Sequence, residues 1–213
     1  LNDNINSLKK INIKDMSVIA CLDLEGVLIP EIWIEFSHRT GIEELQATTR
    51  DISDYSELMR MRLDVCAKNN LCIGDIQKVI AEMSPLTGAK EFLDKLRQKC
   101  QVIILSDTFY QFAQPLIEQL GYPTLFCHNL DIDENGRIND FLLRMDDQKR
   151  HAVKAFKSLG FRTLSAGDSY NDISMLKESD KGVLFCPPQN VIEEFPQFEV
   201  TTNYDELETA FAL

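Results

Sequence analysis

The chain has 213 residues, 44% of them hydrophobic, enough to bury one full-sized core and a modest insert. Its formal net charge of −12 argues against nucleic acid or an acidic membrane surface as a partner. The longest apolar runs, such as residues 102–105 and 182–186, are strand-sized and far too short to span a bilayer. Six cysteines, at 21, 66, 72, 100, 127 and 186, form no C-x-x-C pair. They read as small buried apolar residues of a reduced compartment, so a cytoplasmic protein is expected.

Residues 1–15 are rich in Asn, Lys and Ile, show no period, and lack the apolar core of a secretory signal. They read as a leader or tail without assigned function, with Met16 a candidate natural start. Five short β-branched runs follow, at 17–22, 101–105, 124–127, 163–166 and 182–186. Amphipathic segments at 89–99, 109–120 and 149–159 lie between them. Near-continuous apolar strands alternating with helices predict a doubly wound, mainly parallel α/β sheet covered on both faces. Asn135-Gly136, inside 131–144, marks a β-hairpin turn. From Glu31 to Ser84 there is no strand signal, only three or four helical stretches, and Ser84-Pro85 then breaks the pattern. Residues 16–30 and 85–213 are therefore expected to form the core. Residues 31–84 should form a small helical cap over the carboxyl ends of the strands, where open α/β folds bind ligands.

Chemistry-bearing residues gather at the predicted strand ends. The first strand delivers Asp23, Glu25 and Gly26, two carboxylates beside a glycine that permits a tight turn. The second ends in Ser106-Asp107-Thr108, where a hydroxyl and backbone N–H groups can hold phosphate oxygens, although such residues also cap helices routinely. The fourth ends in Asp168-Ser169-Tyr170-Asn171-Asp172. If the first and fourth strands are neighbours, Asp23 and Asp168 share a site and need a cation; oxygen-only ligands point to magnesium. Lys149, opening the helix before the fourth strand, is placed to restrain Asp23 and meet phosphate charge, though a solvent-exposed lysine would look the same. The three histidines, His38, His128 and His151, show no metal-ligand spacing and are expected to be bystanders.

As a set, these four pieces resemble the haloacid dehalogenase superfamily of phosphotransferases, and the resemblance covers nearly everything from Met16 onward. It implies that Asp23 is the nucleophile and Glu25 the general acid/base. It also implies that Asp23, the backbone carbonyl of Glu25 and Asp168 hold Mg2+, with Asp172 in support, and that Ser106 and Lys149 bind the transferring phosphoryl group. The runs 21–28, 30–33, 47–51, 105–110 and 167–172 are similar to a bacterial subgroup of phosphoserine phosphatases, whose members are described as phosphoserine phosphatase/homoserine phosphotransferases. The wider superfamily usually has Asp where Glu25 stands; the subgroup shares the glutamate. Asp107 and Asn171 join the substrate-binding set by the same resemblance.

Phosphoserine carries an ammonium and a carboxylate besides its phosphate, so a selective site needs an acid and a base above the phosphate pocket. On a wheel of about 100° per residue, Arg62 falls beside Leu58, Met61 and Val65 while Arg60 falls opposite. Arg62 is therefore expected to look inward and Arg60 to be solvated. The resemblance assigns the amino-acid head group to Glu31 and Arg62, and homoserine would fit the same pair; an Arg62 paired with a cap carboxylate is the alternative. A phosphatase for another small monoester, or a phosphate-binding module without turnover, remains a competing reading. The oligomeric state, a homodimer included, stays open.

Overall fold

Strand β1 (Val18–Leu22) lies inside a seven-stranded sheet of the computed structural model, which describes residues 17–48, 51–52 and 54–213. Residues 1–16, and Thr49 and Arg50 of the 47–51 motif, lie outside the described residues. The other strands are β2 (Gln101–Phe109), β3 (Thr124–Ile132), β4 (Ile138–Leu142), β5 (Arg162–Gly167), β6 (Lys181–Phe185) and β7 (Glu199–Thr201). Their order is β4-β3-β2-β1-β5-β6-β7, and only the β3–β4 pair is antiparallel. The order turns back at β1, between β2 and β5, so the ends of these three strands flank the crevice where such sheets bind ligands.

The continuous apolar character of β1 follows from burial on both faces. Ala20 and Leu22 join a cluster with Phe92, Leu93, Phe112, Leu116 and Phe211. These come from α4 (Ala89–Arg97), α5 (Tyr110–Gln119) and α9 (Tyr204–Phe211). Ile19 and Cys21 face the other layer, with Val153, Ile173, Met175 and Val191. That layer holds α6 (Gln148–Ser158), α7 (Ile173–Glu178) and α8 (Gln189–Glu194). No helix among the described residues is long and apolar enough to cross a membrane.

Between β1 and α4 the chain forms α1 (Ile32–Thr40), a 3-10 turn (Glu43–Gln46), α2 (Tyr55–Lys68) and α3 (Ile73–Ala81). Asp54 starts α2 by accepting the Glu57 N–H at 2.8 Å. These helices share the core's apolar cluster: Trp33 meets Phe112 edge-on at 5.4 Å, and Phe36, Met59, Ile76 and Ile80 are buried with it. Pro115 inside α5 has no N–H for the carbonyl of Gln111, and Gln77 of α3 donates to that carbonyl instead, at 2.9 Å. The β3–β4 hairpin turns at Asp133–Arg137 as the Asn-Gly pair predicts, and its Gly136 carbonyl accepts the Ile73 N–H at 2.8 Å.

The structure departs from the sequence expectation at β2, which runs to Phe109 instead of ending at 105. Leu105 pairs with Phe126 and Phe109 with His128, so β2 advances four residues where β3 advances two. The intervening Ser106–Thr108 forms a bulge, a device that re-aims side chains at the end of a strand.

Candidate active site

Asp23 follows β1 directly and is nearly buried. Its N–H donates to the Ala166 carbonyl at 2.9 Å, which continues the β1–β5 pairing by one residue. Its Oδ1 accepts the Leu24 N–H at 2.8 Å and stands 2.9 Å from Lys149 Nζ. The loop then closes on itself at Gly26, with φ at +76° and its N–H donating to the Ile29 carbonyl at 2.8 Å. A Cβ on Gly26 would lie 2.5 Å from the Asp168 carboxyl carbon, so only glycine allows the β1 and β5 ends to bring their carboxylates together.

Asp172 ends the short turn after β5. Its Oδ2 accepts the Asp168 and Ser169 N–H groups at 3.0 and 3.2 Å, and its Oδ1 accepts from Lys149 Nζ at 2.7 Å. One oxygen each of Asp23, Asp168 and Asp172 lies within 4.8 Å of the others. Burial first, then Asp172, pushes Asp168 up to about 7. Burial and Asp172 likewise raise Asp23 well above the carboxylate range, against the pull of Lys149. Lys149 is 2% exposed; burial alone would lower its pKa, but Asp107, Asp172 and Asp23 drive it well above the usual lysine value. One buried ammonium among these carboxylates leaves excess negative charge, and the all-oxygen donor set fits a hard divalent cation. Asp172 already has both oxygens hydrogen-bonded, so Asp23 and Asp168 are the freer ligands.

The β2 bulge places Ser106 and Asp107 beside this group. Ser106 Oγ accepts the Thr108 N–H at 3.3 Å, and the Ser106 carbonyl accepts from Gln148 Nε2. The Asp107 carbonyl accepts the Tyr55 hydroxyl of α2 at 2.7 Å. The Asp107 carboxylate faces Asn171 Nδ2 at 2.9 Å, Gln148 Nε2 at 3.3 Å, His128 Nε2 at 3.5 Å and Lys149 Nζ at 3.5 Å. Burial opposes its charge, yet Lys149, His128, Asn171 and Gln148 hold it well below the usual range. An ionised carboxylate so engaged orients the donors around it. His128, expected to be a bystander, is buried behind it. Its Nδ1 accepts the Arg144 N–H at 3.1 Å, so Nε2 carries the ring proton.

Toward the helical insert, Glu25 Oε2 accepts the Ile32 N–H at 2.9 Å and so caps α1 from the core. Glu31 is exposed to solvent, although its carboxyl is crowded by the surrounding protein. Burial first, then the Glu25 and Asp168 carboxylates, pushes it up to about 8, and Arg62 pulls the other way. Arg62 is 8% exposed and turned inward, whereas Arg60 is exposed with its guanidinium over the Phe141 ring. Arg62 Nη2 donates to the Ala47 carbonyl at 2.8 Å, its guanidinium lies 5.0 Å over Trp33, and its buried Nε has no hydrogen-bond partner among the described residues. Burial lowers its pKa, while Glu25, Tyr55 and Glu31 support the charge.

Sequence reasoning passed over Tyr55, Gln148 and His128. Tyr55 was within reach of the wheel, three and seven residues before Leu58 and Arg62 on one helix face. The other two carried no local signal.

The profile of the haloacid dehalogenase-like hydrolases matches residues 19–180. The phosphoserine phosphatase ThrH of Pseudomonas aeruginosa is 58% identical over 193 residues, covering 91% of this chain and 94% of that protein. A phosphoserine phosphatase of Pseudomonas syringae pv. tomato is likewise 58% identical over 193 residues, covering 91% of this chain and 81% of its own. Among solved structures, a phospho-aspartyl intermediate analogue of phosphoserine phosphatase superposes with a TM-score of 0.75 at 20% identity, over 91% of this chain and 98% of that one.

Proposed function

The chain belongs to the haloacid dehalogenase-like hydrolases, and from that membership we propose that it is a magnesium-dependent phosphoserine phosphatase. In this reading it works through a phosphoryl-aspartate on Asp23, also passes the phosphoryl group to homoserine, and uses residues 31–84 as the cap. The observation that carries the choice of substrate is the Arg62 guanidinium. It is buried, its Nε lacks a partner among the described residues, and Glu31 and Glu25 lie near. A buried donor without a partner is costly, and a substrate carboxylate would satisfy it, with Glu31 left for the ammonium. The 58% identity to two phosphoserine phosphatases supports the same reading.

An Asp23 carboxylate oxygen attacks phosphorus, and the ester bond to the serine oxygen breaks. That oxygen takes the bond's electron pair and a proton from Glu25. Glu25, now ionised, accepts a proton from water or from the homoserine hydroxyl as that oxygen attacks phosphorus and frees Asp23. Lys149 and the Ser106 hydroxyl hold phosphoryl oxygens throughout. Bound by Asp23, the Glu25 carbonyl and Asp168, magnesium would neutralise charge on the phosphate. Homoserine matches serine at its ammonium and carboxylate and adds one methylene before the hydroxyl. Glu31 and Arg62 can hold it after serine leaves, and orientation worth about 10⁵ M or more in effective concentration lets it compete with water.

Incubating the protein with phosphoserine and homoserine, with and without Mg2+, is expected to give phosphate and phosphohomoserine only with the metal. Release of phosphate alone at saturating homoserine removes the transfer step. No release from phosphoserine, with an aryl phosphate still hydrolysed, moves the substrate to another ester. Arg62→Ala is expected to lower kcat/KM for phosphoserine by about a hundredfold, as a lost charged hydrogen-bond pair does, and to change p-nitrophenyl phosphate hydrolysis little, because that ester lacks the carboxylate. Arg60→Ala, on the solvent face, is the control for both. Equal losses on both esters from Arg62→Ala would assign Arg62 to the fold or the phosphate.

A further inference from the structure

The bulge in β2 removes the carbonyls of Ser106 and Asp107 from the β2–β3 ladder, and two side chains from other elements take them up. Gln148 Nε2, from α6, donates to the Ser106 carbonyl. The Tyr55 hydroxyl, from α2, donates to the Asp107 carbonyl at 2.7 Å. The opposite end of the peptide plane that Tyr55 grips is the Thr108 N–H, which donates to Ser106 Oγ at 3.3 Å. With a lone pair of Oγ occupied by that N–H, the Ser106 hydroxyl proton is left to point toward a phosphoryl oxygen.

The two grips differ in where they come from. Gln148 sits on the same α/β body as the bulge, so its grip persists whatever the helical insert does. Tyr55 belongs to the insert, and its ring is fixed edge-on to Phe141 at 6.1 Å and lies beside His128 at 6.3 Å, which aims the hydroxyl at β2. We propose that Tyr55 is a positioning residue that couples seating of the α1–α3 insert on the core to the donor geometry of Ser106. The phosphate loop is then fully ordered only when the residues around the substrate's head group are in place. This inference rests on the phosphatase reading above.

Tyr55→Phe tests it, because the ring and its packing stay and only the hydroxyl is lost. The expected result is a kcat about tenfold lower on both phosphoserine and p-nitrophenyl phosphate, equivalent to about 1.4 kcal/mol in the barrier, with KM nearly unchanged. A misaligned donor is felt most where charge shifts among the phosphoryl oxygens in the transition state. Affinity for orthovanadate in the presence of Mg2+, measured by calorimetry, should weaken by a similar factor while the melting temperature stays near that of the parent. A merely structural role would lower the melting temperature and leave the vanadate affinity of the folded protein intact, and that result overturns the proposal. So does a variant with parental kcat and vanadate affinity. If the parent hydrolyses the aryl ester but not phosphoserine, the substrate reading falls while the aryl arm still judges Tyr55. If it hydrolyses neither ester, the phosphatase reading falls and vanadate binding alone decides. A parent that binds no vanadate overturns both.

Discussion

Replacing Asp23 by Asn is expected to reduce turnover of phosphoserine by more than about a thousandfold and to leave the fold intact. The amide has the volume of the carboxylate, and its Oδ1 can still accept from the Leu24 N–H and from Lys149. What it loses is the anionic oxygen that, in the proposed reaction, bonds to phosphorus, and with it a proposed metal ligand. The charge change itself does not harm the scaffold. Asp23 lies with Asp168 and Asp172 in a group whose oxygens fall within 4.8 Å of one another, so removing one charge relieves repulsion. The metal-free Asp23→Asn protein should therefore be at least as stable as its parent, which separates loss of chemistry from loss of fold. Steady-state phosphate release measures the first, and acid-stable ³²P label retained on the protein after quenching measures the intermediate. Near-parental turnover, or label on the variant at the parental level, would remove Asp23 from the role of nucleophile.

The residues that carry this prediction were legible because they end strands buried on both faces. Such strands appear in sequence as unbroken apolar runs, so Asp23 and Asp168 stand out where the runs stop, and Ser106 where the apolar part of β2 gives way to the bulge inside it. The Arg62–Arg60 distinction was legible for a similar reason, since α2 has one apolar face and helical spacing assigns each arginine to a side. β7 was not legible: it is three residues long, and Glu199 and Val200 are exposed, leaving no apolar run to detect. The network behind Asp107 was hidden by a different cause. A two-residue surplus in β2 relative to β3 creates it, and register is a property of the pair, not of either strand's sequence. Its partners lie 52 and 42 residues away along the chain, at Tyr55 and Gln148, where local patterning carries no information about β2. Lys149 is the intermediate case. Its position at the start of α6 was readable, whereas its burial among several carboxylates follows only from β1, β2 and β5 being neighbours.

That burial makes Lys149→Met the most destructive single change expected after Asp23→Asn, and in a different way. Lys149 Nζ lies 2.9 Å from Asp23, 2.7 Å from Asp172 and 3.5 Å from Asp107. Methionine fills much of the volume but leaves three carboxylates facing one another without the ammonium. Removing one partner of a buried ion pair costs about 3–5 kcal/mol, a large share of the about 5–15 kcal/mol that holds a typical domain folded. Turnover should fall by at least about a thousandfold, because in the proposed mechanism the phosphoryl group loses its lysine and Asp23 its restraint. Lys149→Arg keeps the charge, but its planar guanidinium cannot occupy the place of a compact ammonium, so it should recover stability in part and turnover little. The pH dependence follows from the signs of the shifts. In the folded protein Asp23 and Asp168 sit above their unfolded values, Asp168 at about 7. Between the ordinary carboxylate range and those raised values the folded state binds more protons than the unfolded one, so falling pH stabilises it through these two groups. Without Lys149 both should rise further, and protons can take over part of the missing charge. Chemical denaturation of the metal-free proteins should therefore show the stability gap between parent and Lys149→Met narrowing from pH 8 to pH 5, and Mg2+ should narrow it at pH 8. A gap independent of both pH and magnesium would mean that the lysine supports packing and not the charge balance of the site.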